Sequence, residues 1–198
     1  MRVVGTLLAS VCLAVGLAGC ADDNGGAIDV PATTAGPGST STTATGIDPL
    51  QGAGITPVST PRGNATSLLT AVRVARQEGF DRVVFEFENA APGYKVSYIQ
   101  KPVTEDASGR QLAVKGNFVV EVRMEPAATA DLSGGGDPRR TYTGPTRVEG
   151  DTSEVTEVVK AGDFEAVLTW VIGLTDKVDF KVSTLQSPAR LVVDLRNH

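Results

Sequence analysis

The chain has 198 residues, a formal net charge of -5 at pH 7, one histidine and two cysteines. A net negative chain with scattered basic residues repels polyphosphate, which excludes nucleic acid as a partner. The one histidine is the final residue, His198, so neither the ligand set of a zinc amidase nor a Ser-His-Asp triad can be built within the chain, and no sequence motif calls for a metal or another cofactor.

Arg2 precedes an apolar run, "VVGTLLASVCLAVGLAG", which ends at Asp22 and Asp23 and reads as a secretory leader over residues 1–19 rather than a spanning helix. Cys12 lies mid-run and only adds apolar surface. Cys20 follows small residues in "LAGC" and stands where the chain turns polar, a pattern that resembles the bacterial lipobox. The resemblance implies that the Cys20 sulfur, a good nucleophile as thiolate, takes a diacylglyceryl group and becomes the first residue of the mature chain. The protein is then expected on the outer face of the cell membrane, held by acyl chains worth about 0.8 kcal/mol per buried methylene. With both cysteines in the first twenty residues, no disulfide framework is available downstream.

Residues 20–66 are rich in Thr, Ser, Gly, Ala and Pro, contain no aromatic residue, and show neither a helical nor a strand period. Such a segment buries too little apolar surface to offset its ordering entropy, so a disordered spacer is expected between the lipid and a folded domain. Its "TSTTATG" tract has a composition compatible with O-glycosylation.

From Ser67 to His198 the pattern is alternation. Val83, Phe85 and Phe87 in "RVVFEFE" fall on one face, with Val84, Glu86 and Glu88 on the other, as in a half-buried strand. The same period marks "LTAVRVAR", "GYKVSYIQ" with Tyr94, Val96 and Tyr98 aligned, and "NFVVEVRME" with Phe118, Val120, Val122 and Met124 aligned. It returns in "DFEAVLTWVIGL", where Phe164, Ala166, Leu168, Trp170 and Ile172 form a row, then in "DFKVSTL" and "ARLVVDLR". "DTSEVTEVVK" could form a capped helix, but its Val and Thr content favours a strand, with "KAGD" as a tight turn into the next one. Turn signals lie at Ala91–Gly93, Ala107–Arg110 and Ser133–Pro138, the last inside a long loop over Ala127–Arg147. Seven or eight such strands predict an all-β fold, an antiparallel β-sandwich.

Three phrases, "FDRVVFEFENAAPGYKVSYI", "GDFEAVLTWVIGL" and "LQSPARLVVDLRNH", resemble in this order the AMIN-like domain of secreted proteins and lipoproteins of GC-rich Gram-positive bacteria. That family is distantly similar to the AMIN domains that accompany peptidoglycan amidases and secretin pores. The resemblance covers residues 67–198 and implies a β-sandwich that targets its host to the envelope by binding peptidoglycan or an envelope protein. It carries over no catalytic residue. The chain ends at His198, which is expected to leave no room for an attached amidase or pore domain.

Within that frame the basic group Arg139, Arg140, Tyr142 and Arg147, in and just after the long loop, has two readings: charges for solubility, or contacts to an anionic envelope polymer or partner protein. Tyr94 and Tyr98 read as core edge, with carbohydrate stacking as the alternative, and Trp170 reads as core, its indole N–H needing one partner. Glu86, Glu88, Glu121, Glu125, Asp163 and Glu165 read as the wet face of a sheet rather than a glycosidase dyad. The expected function is a non-enzymatic binding module. A receptor for a small ligand would instead need an apolar cavity between the sheets, and a wall hydrolase a working acidic pair.

Overall fold

The computed structural model describes residues 48–198. The leader, Cys20 and residues 21–47 of the expected spacer lie outside the described residues. In chain order the strands are β1 (Val58–Ser59), β2 (Ser67–Gln77), β3 (Phe80–Phe87), β4 (Gly93–Ile99), β5 (Val103–Thr104), β6 (Gln111–Leu112), β7 (Phe118–Glu125) and β8 (Ala127–Ala128). They continue with β9 (Ala130–Asp131), β10 (Arg139–Arg140), β11 (Arg147–Glu149), β12 (Val155–Phe164), β13 (Val167–Leu174), β14 (Phe180–Leu185) and β15 (Ala189–Arg196). The all-β expectation holds, and β2, β3, β4, β7, β12, β13, β14 and β15 are its long members.

Two sheets carry the architecture, one in the order β1-β4-β7-β13-β12-β11 and one in the order β14-β15-β3-β2-β8. Both are antiparallel except for the short β2–β8 pair, which runs parallel because Pro126 brings the chain from the end of β7 alongside the start of β2. The inward rows meet in one core. Val83, Phe85 and Phe87 of β3 face Val120, Val122 and Met124 of β7 and Leu168, Trp170 and Ile172 of β13. The Phe85 and Trp170 rings lie 6.1 Å apart, and Tyr98 lies 5.9 Å from Phe180, so aromatic contacts tie one sheet to the other. Removing a buried aromatic of this kind costs about 3–5 kcal/mol, far more than any exposed ion pair contributes.

A smaller cluster lies on the outer face of the first sheet. There the β5–β6 hairpin lays Val103 and Leu112 over Val119, Val159 and Val171, which explains why outward positions of β7, β12 and β13 are also apolar.

Four expectations need correction. Residues 48–66 are not spacer. Leu50 is 1% exposed, Asp48 accepts from Arg196 at 2.9 Å, Gly54 bridges Phe180, and β1 pairs with β4 to form the sheet edge. The "KAGD" stretch is strand: β12 runs on to Phe164, and the turn is Glu165-Ala166, both with positive φ (51° and 58°). That displaces Phe164 from the β13 row to the hairpin tip, where it is 58% exposed.

The loop over Ala127–Arg147 is largely ordered by pairing. It contains β8, β9 and β10 and ends where β11 begins, and Thr129 O accepts from the N–H groups of Thr141 and Tyr142. Lastly, the Trp170 indole N–H, though fully buried, has no hydrogen-bond partner among the described residues; Tyr142 packs edge-on against the ring instead.

Candidate functional site

The six residues singled out as binding candidates do not converge. Tyr94 (9% exposed) belongs to the core, and Tyr98 packs against it while donating its hydroxyl hydrogen to the Val178 carbonyl at 2.6 Å and accepting the Val178 N–H. Burial raises the phenol pKa of both. Tyr142 is 5% exposed, packs at right angles on Trp170, and donates to Pro145 O at 2.7 Å. Its phenol pKa is likewise raised by burial. All three spend their rings on the interior.

Arg147 is also committed. From β11 it reaches across to β12, where its guanidinium pairs with Glu157, a carboxylate with no exposed surface, and it donates to Ala113 O at 2.9 Å. Burial pushes the Glu157 carboxyl up, but the Arg147 guanidinium and the Lys115 N–H at 2.6 Å more than offset this and leave it below the usual range. Such a pair is structural: breaking it strands a buried charge.

Arg139 and Arg140 remain at the surface, on the ribbon formed by β9 and β10. Arg139 donates to Glu88 at 3.0 Å and to Asp131 at 3.3 Å. The Asp131 carboxyl is held below its ordinary range first by the Ser133 hydroxyl and N–H and then by Arg139. Arg140 pairs with no carboxylate among the described residues and stands across the ribbon from Ala130.

Beside this ribbon, at one end of the sandwich, lies a cleft of about 580 Å³. Its walls are apolar at Leu68, Ala128, Ala130, Leu132 and Ala166, with Asn89, Asp131 and Ser133 among its polar members. Asn89 closes one side by donating to Thr66 O and accepting from Leu68 N. Leu132 is 74% exposed, while the loop that follows, "SGGGDP", has no apolar side chain to cover it. Leu132 thus adds an exposed apolar side chain to the wall of an open, largely apolar cleft. The basic residues of the loop were visible in the sequence. The cleft was not, because its walls come from β2, β8, β9 and the β12–β13 turn, four places linked only by the fold.

Of the acidic residues on or near the strands, four are engaged by cations or hydroxyls, and Glu121 has no such partner among the described residues. Glu86 pairs with Arg73, Glu88 with Arg139, Glu125 with Arg62, and Asp163 accepts from Thr129. Among the described residues, no three His, Cys, Asp or Glu side chains are grouped so as to hold a metal ion.

The family model of the AMIN-like domain matches residues 67–197. No curated protein and no solved structure matched the chain.

Proposed function

The chain belongs to the AMIN-like domain family, and from that membership we propose that it is a non-enzymatic module that binds peptidoglycan at the cell envelope, anchored to the outer face of the membrane through diacylglyceryl-Cys20. The observation that carries the binding assignment is the cleft at the end of the sandwich, with largely apolar walls, the exposed Leu132 among them, and on the adjoining ribbon Arg140, which pairs with no carboxylate among the described residues. Peptidoglycan offers matching chemistry: sugar faces and alanine methyls for the walls, and carboxylates for a guanidinium fork.

Two observations favour this reading over its rivals. The space between the sheets is filled by Trp170, Phe85, Phe87 and Met124, which leaves that region to packing rather than to a small ligand. Glu86, Glu88 and Glu125 are paired with arginines, and the bond from Arg73 lowers the Glu86 pKa, which suits that carboxyl poorly to act as a general acid. The membrane assignment rests on the "LAGC" pattern, and changing Cys20 to Ser should release the protein from the membrane fraction.

The binding test is co-sedimentation with purified peptidoglycan sacculi, with an unrelated β-sandwich as control. The protein should pellet, and the Leu132→Asp, Arg140→Glu double variant should stay in the supernatant. A wild-type protein that does not pellet above the control refutes the proposal.

A further inference from the structure

The outer face of the first sheet holds a second feature, which shares no lining residue with the loop cleft. Pairing places Ser59 of β1, Lys95 of β4 and Arg123 of β7 in one cross-strand row. Lys95 and Arg123 therefore sit directly opposite each other, both exposed, a like-charge pair that opposes folding by roughly 0.2–1 kcal/mol. Neither forms an ion pair with a carboxylate among the described residues. On neighbouring positions of β7, Glu125 is taken by Arg62 at 2.7 Å, and Glu121 makes no ion pair among the described residues. Several other arginines of this net acidic chain find acids, Arg73 with Glu86, Arg82 with Asp194, Arg110 with Glu105 and Arg196 with Asp48, while Arg76, Arg140 and Arg190 make no ion pair among the described residues but do not stand opposite a second cation.

The row also borders a groove of about 220 Å³, whose other side is the strap Ser59–Arg62. The strap is held down by Thr60, which donates its N–H to Tyr94 O at 2.8 Å and accepts the Tyr94 N–H on its hydroxyl. It passes so close over Gly93 that a Cβ there would stand 2.1 Å from Pro61 O. Gly93 thus lets the backbone cross and sets Arg62 beside Lys95 and Arg123. The β5–β6 hairpin covers its own part of this sheet face by packing on Val119, Val159 and Val171, none of which lines the groove.

We propose that this groove is an oxyanion site for a phosphate group, free or carried on a phosphodiester polymer. A carboxylate satisfies one arginine fork, as the ion pairs elsewhere on this surface do. A phosphate has oxygens enough to meet the planar Arg123 fork, the Lys95 ammonium and the Ser59 hydroxyl together, and it removes the repulsion that the row otherwise carries.

The test is isothermal titration of the purified chain with inorganic phosphate and, separately, with soluble poly(glycerol phosphate), each at low and high salt. Lys95→Glu is the informative variant, because it places a carboxylate opposite Arg123 and so supplies the missing counter-charge from within. It should melt no lower than the wild type, yet lose at least tenfold in affinity for whichever probe binds. Saturable, salt-sensitive binding of inorganic phosphate assigns the site to the isolated group, and binding of the polymer alone assigns it to the chain-borne one. No saturable binding of either probe, or Lys95→Glu binding as well as wild type, overturns the proposal. Because Leu132 and Arg140 are untouched, loss of phosphate binding with retained sacculus binding separates this site from the cleft.

Discussion

Glu157 shows how a loop cation can be mistaken for a ligand contact. Its carboxylate is fully buried and answered by Arg147 and the Lys115 N–H. Arg147→Ala should therefore cost about 3–5 kcal/mol in a urea melt, while Arg140→Ala should shift the midpoint negligibly. Equal effects of the two changes would contradict the distinction drawn between them.

Glu154 carries the opposite strain. It is 4% exposed, and burial, helped by Asp176 and Asp81, raises its pKa above the ordinary 4.5. A raised folded pKa means that its contribution to stability is full below the unfolded value and is lost as pH rises through the folded one. Glu154→Gln, which can still accept the Asp176 N–H, should thus be more stable than wild type at pH 7 and lose that advantage near pH 4. Paired denaturant melts at the two pH values measure it.

Among the elements, the β12–β13 hairpin has the least suitable connection for its sequence. Phe164 pairs with Val167, so Glu165 and Ala166 are the two central residues, and both have positive φ, a conformation that disfavours side chains with a Cβ and suits Asn-Gly. Replacing Glu165-Ala166 by Asn-Gly should stabilise the protein by about 1 kcal/mol, seen as a raised calorimetric Tm. The same turn marks where sequence reading reached its limit. Alternation in "RVVFEFE" and "NFVVEVRME" located β3 and β7 because one face of each is buried, but a turn without glycine leaves no mark, and "KAGD" drew the turn too early. Likewise β1 is two residues long and lies in a Thr- and Pro-rich stretch, too short for any period to register. The Lys95–Arg123 juxtaposition depends on the register of β4 against β7, which no single strand encodes.

For the whole molecule, the folded unit begins earlier than composition alone indicates. Leu50 is buried near the β14–β15 edge, with Pro49 O accepting from Lys181 and Asp48 from Arg196. Leu50→Ala should cost about 2 kcal/mol, and a chain beginning at Ser67, lacking β1 as well, should melt well below one beginning at Asp48. Such a shortened chain would also lose the strap that walls the phosphate groove, so it is the wrong material for testing binding there.

The decisive measurement is a two-dimensional amide NMR titration of the 15N-labelled protein, beginning at or before Asp48, with soluble peptidoglycan fragments. The predicted result is a saturable set of shifts centred on Leu68, Asn89, Ala130–Ser133 and Arg140, with Lys95 and Arg123 unmoved. Shifts confined to other faces of the sandwich, or none at saturating fragment, would contradict the assignment of wall binding to the loop cleft.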